Sequence, residues 1–412
     1  MQNLKIDGRR LWDAVMETAQ IGATDKGGIC RLTLTDLDRQ VRDWFKAQCE
    51  TLDLTVNVDD MGNMFAQRLG KNPALPPIAI GSHLDTQPTG GKFDGCLGVL
   101  AALETLRTLH QAGYETNAAI EIVNWTNEEG ARFAPAMLAS GVFAGVFSRD
   151  FAYARTDRDG KTFGEELECI GYRGAEAAGA RKFSAHFELH IEQGPILDNE
   201  HGMIGVVRGA QGMRWYEITV AGQAAHSGAT PMTARKDALL GAARLIERID
   251  AIARQHGPDA VGTVGLIENR PNSRNVIPGE TFFSVDFRHP DDAVLDAMEN
   301  ELCLALADIL PPLGLNYREA RIWDCAPVKF APELVDCVRI GAQQAGFVAR
   351  DMISGAGHDS CYVARVAPTV MIFVPCRGGI SHNEAEWSSP EQCAAGAQVL
   401  LNAVLEYDRR LG

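Results

Sequence analysis

Apolar runs short enough to be buried strands alternate with helix-length stretches through the first half of this chain, and the same texture returns at its end. Ile78–Gly81, Ala119–Trp125, His186–Ile191 and Thr369–Val374 read as strands, while Gly98–Ala112, Pro332–Ala345 and Pro390–Tyr407 read as helices. Strand-length runs alternating with helix-length ones argue for an α/β layer. The pattern predicts an α/β fold: a mainly parallel mixed sheet flanked by helices. In such sheets ligands gather beyond the carboxyl ends of the strands.

Between these halves the texture changes. Arg214–Val220 alternates like a half-exposed strand, and Pro231–Gln255 reads as a helix opening with proline. Val261–Glu268 and Thr281–Arg288 follow as strands, Asp291–Leu310 as a second helix, and Leu315–Trp323 as a last strand. This β-α-β-β-α-β order predicts a smaller α/β sandwich with a four-stranded antiparallel sheet, inserted into the larger domain. The expected boundaries are 1–212 and 327–412 for the larger domain and 213–326 for the insertion.

Bulk properties exclude several classes. A chain of 412 residues is too long for one core, so two domains are expected. No apolar run approaches the roughly 18 residues of a membrane helix. The segment Met1–Ile21 carries Leu11, Val15 and Ala19 at helical spacing and lacks a signal peptide's apolar core, so it reads as a helix of the mature protein. A net charge of −15 argues against nucleic acid as a partner, and an anionic small substrate would need a local cation. Ten cysteines without a Cys-x-x-Cys pair fit reduced thiols in a cytoplasmic protein.

The polar loops carry the chemistry. Gly81-Ser82-His83-Leu84-Asp85-Thr86 follows the first strand, and Gly91-Lys92-Phe93-Asp94-Gly95 comes after a glycine-rich turn. Further candidates lie in Asn127-Glu128-Glu129-Gly130, Glu188-Leu189-His190-Ile191-Glu192-Gln193-Gly194, Gly355-Ala356-Gly357-His358-Asp359 and Ile380-Ser381-His382-Asn383-Glu384. Taken singly, each is an ordinary polar turn or surface pair. Taken together they fall at strand ends on one sheet edge. Gathering His83, Asp94, Glu129, His190 and His382 without a cation would bury several unpaired carboxylates. Two divalent ions would remove that penalty, and Asp94 has two oxygens with which to bridge them.

These motifs, in this order, resemble those of the zinc-dependent amidohydrolases of the M20 peptidase clan, and within it the hydantoinase/carbamoylase branch. That branch includes N-carbamoyl-L-amino acid hydrolases, β-ureidopropionases and allantoate amidohydrolases, and the likeness runs from near Leu11 to the C-terminal helix. The resemblance implies one metal on His83 and His190, the other on Glu129 and His382, and Asp94 between them. It implies Glu128 as general base and Asp85, two residues after His83, as the residue that holds the His83 imidazole in its binding tautomer. The sequence alone does not order the two glutamates. Their division has a physical reason, because a carboxylate committed to a cation is a poor base and its free neighbour is a good one. The all-N/O ligand set suits zinc, with manganese, cobalt or nickel as alternatives.

The insertion carries Ala224-Ala225-His226-Ser227-Gly228, Asn272-Ser273-Arg274-Asn275 and Asp286-Phe287-Arg288. Arg288 by itself reads as a strand-end surface charge. The resemblance implies that Arg288, with Asn275 and Gln193, holds a substrate carboxylate and that His226 faces the developing oxyanion, often from a partner subunit. It also makes Gly357 and His358 substrate-side candidates. The insertion would then serve as lid and as homodimer surface. The implied reaction is hydrolysis of the ureido C–N bond of an N-carbamoyl amino acid. Allantoate hydrolysis and a more general metallo-aminoacylase or peptidase activity are the alternatives. A nucleotide-binding reading of Gly355-Ala356-Gly357 lacks the full Gly-x-Gly-x-x-Gly spacing.

Overall fold

The computed structural model describes residues 4–412. It has two compact units: Ala210–Val328 forms one, and the segments up to Gly209 and from Lys329 onward form the other. The N-terminal helix runs Gly8–Thr18, with the Asp7 side chain accepting from the Arg9 and Arg10 amides, and it buries Leu11, Ala14 and Val15. Residues 1–3 of the expected N-terminal helix lie outside the described residues.

Among the described residues, the larger unit is built on a nine-stranded mixed sheet. Its centre is four parallel strands in the order Ile120–Trp125, Ile78–His83, Ala185–Ile191 and Thr369–Val374. Antiparallel strands extend it on both sides, Met64–Arg68 next to Ile120–Trp125 and Ile204–Ala210 next to Thr369–Val374. Every residue of the four central strands is buried, including the polar Glu121, Asn124, His186 and Glu188. The helices Cys96–Gln111 and Pro390–Leu411 pack against this sheet. The second of them opens with Pro390 and a capping box between Ser389 and Gln392. Parallel direction puts the carboxyl ends of all four strands on one edge.

Gly95, at the start of the helix Cys96–Gln111, has φ +63°, and a Cβ there would lie 2.3 Å from the His83 ring. Only glycine lets this helix start directly against that imidazole.

The smaller unit is an antiparallel sheet in the order Ile267–Arg270, Glu280–His289, Gly212–Ala221 and Asn316–Cys325. Helices Ala238–Gln255 and Asp292–Ile309 contribute Leu245, Ile249, Leu302 and Leu306 to a core shared with Tyr216, Ile218, Phe283 and Phe287. Two expectations change here. The strand expected over Val261–Glu268 is broken: Val261–Thr263 pairs with Asp286–Arg288, and Ile267–Arg270 pairs with Glu280–Phe283. Four steps on one strand, 263 to 267, face three on the other, 286 to 283, so one extra residue is accommodated as at a bulge. The helix expected from Pro231 begins instead at Ala238, where the Asp237 side chain caps the Leu240 amide. Pro231 precedes a 3-10 turn, Met232–Ala234, and the chain there is held by Arg235 donating to the Thr230 and Ser227 carbonyls.

Candidate metal centre

His83 is the last residue of its strand, and His190 lies one residue before the end of Ala185–Ile191. Glu128 and Glu129 follow Ile120–Trp125, and His382 follows Thr369–Val374, so the sheet topology delivers four of the five ligand candidates to one edge. Asp94 arrives two residues before the helix Cys96–Gln111. Asn127, Gln193 and His382 all have left-handed backbone, with φ of 60°, 58° and 53°. Such conformations are costly for non-glycine residues and gather where geometry is imposed by a site.

The side chains form two trios that share Asp94. His83, Asp94 and His190 make one, and Asp94, Glu129 and His382 make the other, each with its ligand atoms within 4.8 Å of one another. Asp94 Oδ1 lies 3.1 Å from His190 Nε2 and 3.8 Å from His83 Nε2, while Oδ2 lies 3.3 Å from His382 Nε2. Glu129 Oε2 is 3.5 Å from the same His382 nitrogen. One carboxylate therefore turns one oxygen to each trio.

The rings are set to offer lone pairs. His83 Nδ1 donates to the Asp85 carbonyl and His190 Nδ1 to the Ile191 carbonyl, both at 2.9 Å, which leaves Nε2 as the binding nitrogen of each ring. The Gly95 amide points at His190 Nε2 from 3.2 Å. His83 Nε2 is buried without a hydrogen-bond partner, the condition expected of a nitrogen reserved for a cation. Burial pushes the His83 imidazole down to about 4, against the pull of Asp94. Burial also opposes charge on His190, but the Asp94 carboxylate holds it up at about 9, so a cation seated there displaces a proton. For Asp94 the desolvation cost is overcome by the three histidines, which hold its carboxyl well below the usual value.

Glu128 belongs to neither trio. It is buried with Oε2 3.5 Å from His83 Nε2, and burial followed by the charges of Asp359, Glu129, Asp94 and Asp85 raises its carboxyl well above the usual value. Glu129 is instead anchored by Gln87, whose amide N–H and side chain donate to it at 3.1 and 2.7 Å. The adjacent glutamates are thus separated by their partners.

Asp85 meets the His83 ring through its main chain. The group against His83 Nδ1 is the Asp85 backbone carbonyl, and its carboxylate stands 3.9 Å away. That carboxylate accepts the amides of Glu128 and Glu129, both at 3.3 Å, and so fixes the glutamate pair rather than the imidazole.

The substrate-side candidates divide. Gln193 joins the trios: its Nε2 donates to Asp94 Oδ2 at 2.9 Å and approaches Ser381 Oγ and His382 Nε2. His358 is buried against His190 with ring centroids 4.5 Å apart, its Nε2 3.0 Å from Ser354 Oγ, and Gly357 packs on Met137. Glu188 lies with His190 and His358, but Ser82 and Ser360 already donate to its two oxygens, so this third trio is a satisfied hydrogen-bond network. In the smaller unit, His226 and Asn275 are neighbours, the Ser227 amide donating to the Asn275 carbonyl. The amides of Gly228 and Ala229 both donate to His226 Nδ1, at 3.0 and 3.2 Å, which puts the ring hydrogen on Nε2 and makes that atom a donor. Arg288 is at the other end of the sheet, engaged by Asp286 through Nε and Nη2 at 2.9–3.2 Å.

The profile of peptidase family M20/M25/M40 matches residues 79–406. The chain belongs to this family. Within the M20 family it is 52% identical over 405 residues to an N-carbamoyl-L-amino-acid amidohydrolase of Rhizobium meliloti, covering 98% of this chain and 97% of that one. It is 34% identical to an allantoate amidohydrolase of Bacillus subtilis, over 94% of this chain and 95% of the relative. A solved hydantoinase/carbamoylase family amidase of Burkholderia multivorans superposes with a TM-score of 0.96 at 55% identity, covering 98% of each chain. Among the described residues, no helix is long and apolar enough to cross a membrane.

Proposed function

We propose that this M20-family protein is a di-metal amidohydrolase that cleaves the ureido C–N bond of N-carbamoyl-L-amino acids, releasing the amino acid, ammonia and carbon dioxide. The observation that carries the two-ion reading is the division of Asp94, with Oδ1 toward His83 and His190 and Oδ2 toward His382. The near-full-length likeness to an N-carbamoyl-L-amino-acid amidohydrolase supports the substrate class. His83, Asp94 and His190 would hold one divalent ion and Asp94, Glu129 and His382 the other. When bound, the ions would polarise the ureido carbonyl and make the attacking water more acidic. An all-N/O ligand set favours zinc and tolerates manganese, cobalt or nickel.

The protein's own groups supply the rest. Glu128, whose carboxylate belongs to neither trio, takes a proton from the attacking water and returns it to the leaving nitrogen. His226 Nε2–H donates to the developing oxyanion. Arg288 holds the substrate carboxylate in fork geometry, which requires it to exchange Asp286 for the ligand. Gln193 steers the substrate beside Asp94.

The smaller unit is the lid and the dimer surface in this reading. Arg288 pairs with Met213 at one end of the strand Glu280–His289, and the opposite end, Glu280, pairs with Ala221, five residues before His226. Eight residues of strand span roughly 26 Å, more than a small ureido acid can bridge. In this reading one site takes Arg288 from one protomer and His226 from its partner. The ten cysteines remain thiols, in keeping with a cytoplasmic enzyme.

An ammonia-release assay with N-carbamoyl-L-amino acids, N-carbamoyl-β-alanine and allantoate, with and without chelator, tests this function. The expected result is chelator-sensitive release, fastest from an N-carbamoyl-L-amino acid. Release from allantoate alone would transfer the chain to the allantoate activity named for its Bacillus subtilis relative.

A further inference from the structure

Glu386 has no part in the assignments above, yet its side chain joins the loop that carries Asp94 to the loop that carries His382. The residue is 4% exposed. Its Oε1 accepts the amides of Phe93 and Asp94, both at 3.1 Å, and its Oε2 lies 2.9 Å from Ser381 Oγ. Two consecutive N–H groups on one charged oxygen are strong, charge-assisted bonds, and here they link segments 292 residues apart. The Ser381 hydroxyl also lies 3.2 Å from Asp94 Oδ2. Its single hydrogen thus sits between the shared carboxylate and Glu386, with the shorter contact to Glu386.

Two independent features show that the chain is shaped around this carboxylate. A Cβ at Gly91 would fall 2.1 Å from Glu386 Oε1, so the approach to Asp94 leaves room for that oxygen and for nothing else. Phe93 and Trp387, each adjacent to one of the joined residues, pack edge-to-face with centroids 5.8 Å apart.

We propose that Glu386 is a positioning residue for the metal pair, fixing the Asp94 backbone between the two ligand trios and holding Ser381 and His382 against it. The proposal rests on the two-ion reading above. Residues that support ligands from behind typically change metal affinity or activity by about 10–100-fold when replaced. Glu386 acts on the ligand that both ions share and on the loop of only one of them. Its loss therefore weakens chiefly the ion held by Glu129 and His382.

The test uses the full chain stripped with chelator and titrated with zinc alone, counting bound ions by mass spectrometry and calorimetry beside a thermal melt. Glu386→Gln keeps the size and one acceptor oxygen but turns an amide toward Ser381. Gly91→Ala leaves the carboxylate in place and pushes it aside. Wild type is expected to take two ions, while both variants keep one near wild-type affinity and bind the other about 10–100-fold more weakly. Saturating zinc should then restore most of kcat. Two ions at wild-type affinity in both variants, with only the melting temperature lowered, would overturn the proposal and leave the two-ion reading standing. A wild-type chain that takes fewer than two ions removes that reading and this proposal with it.

Discussion

Arg288 and His226 stand at opposite ends of one antiparallel strand pair, Arg288 opposite Met213 and His226 just beyond the Ala221–Glu280 pair. The proposed function assigns them to one site from two protomers. Arg288→Ala and His226→Ala should each abolish turnover of carboxylate-bearing ureido substrates. Mixing and re-associating the two inactive proteins should restore about a quarter of wild-type activity, because half the dimers are mixed and each has one intact site. Activity that stays at background after exchange, verified by native mass spectrometry, would show that both residues serve the same chain's site.

The neighbouring glutamates should fail in different ways. Glu128 is free of both trios, whereas Glu129 sits against His382 and is held by Gln87. Glu128→Gln is expected to lower kcat by about 10²–10⁴ with metal content and KM little changed. Glu129→Gln should lose one ion under dialysis that leaves the wild type loaded. Near-normal turnover in Glu128→Gln with both ions bound would take the base role away from it.

How much of this was legible in the sequence depended on how local each signal is. The parallel core was readable because strand-length runs such as Ile78–Ile80 and Val370–Val374 alternate with helix-length ones. Four of the ligand candidates were readable because they fall at or beyond strand ends, and Asp94 because it lies in a glycine-rich loop after one. Glu386 was not, because its partners Phe93 and Asp94 lie some 290 residues away and no spacing rule joins them. That Asp85 reaches His83 through its carbonyl while its carboxylate takes the Glu128 and Glu129 amides was not legible, since nothing in the sequence distinguishes the two groups as neighbours of the ring. Pro231 misled for a local reason: proline favours a helix's first turn, but here Arg235 holds the preceding loop and Asp237 provides the real cap.

Metal removal should cost stability as well as activity. Glu128, Glu129 and Asp85 are all raised by burial and then by neighbouring carboxylates (Asp359 and Asp94 for the glutamates, Asp38 for Asp85), and His83 Nε2 has no hydrogen-bond partner. Free zinc at 100 times its Kd stabilises a one-site protein by about 2.7 kcal/mol, so the chelated protein should melt several degrees below the zinc-loaded one. Magnesium, which prefers oxygen ligands, should not reproduce the shift. Identical melting curves with and without zinc would count against any built metal site.

His186 gives a pH dependence away from the ligands. It lies in the strand Ala185–Ile191, fully buried beside Trp125, with Nδ1 3.4 Å from Ser360 Oγ and Nε2 unpartnered. Burial pushes its imidazole down from 6.5 to about 3. A base depressed in the folded state contributes stability that is fully present above its unfolded pKa and is lost as pH falls from about 6.5 toward about 3. Within that window each pH unit costs about 1.4 kcal/mol, because unfolding takes up one proton. His186→Gln is neutral at every pH, so its denaturant-derived stability should fall less steeply than wild type between pH 6.5 and pH 5. Parallel slopes for the two proteins across that range would mean that His186 accepts its proton without unfolding.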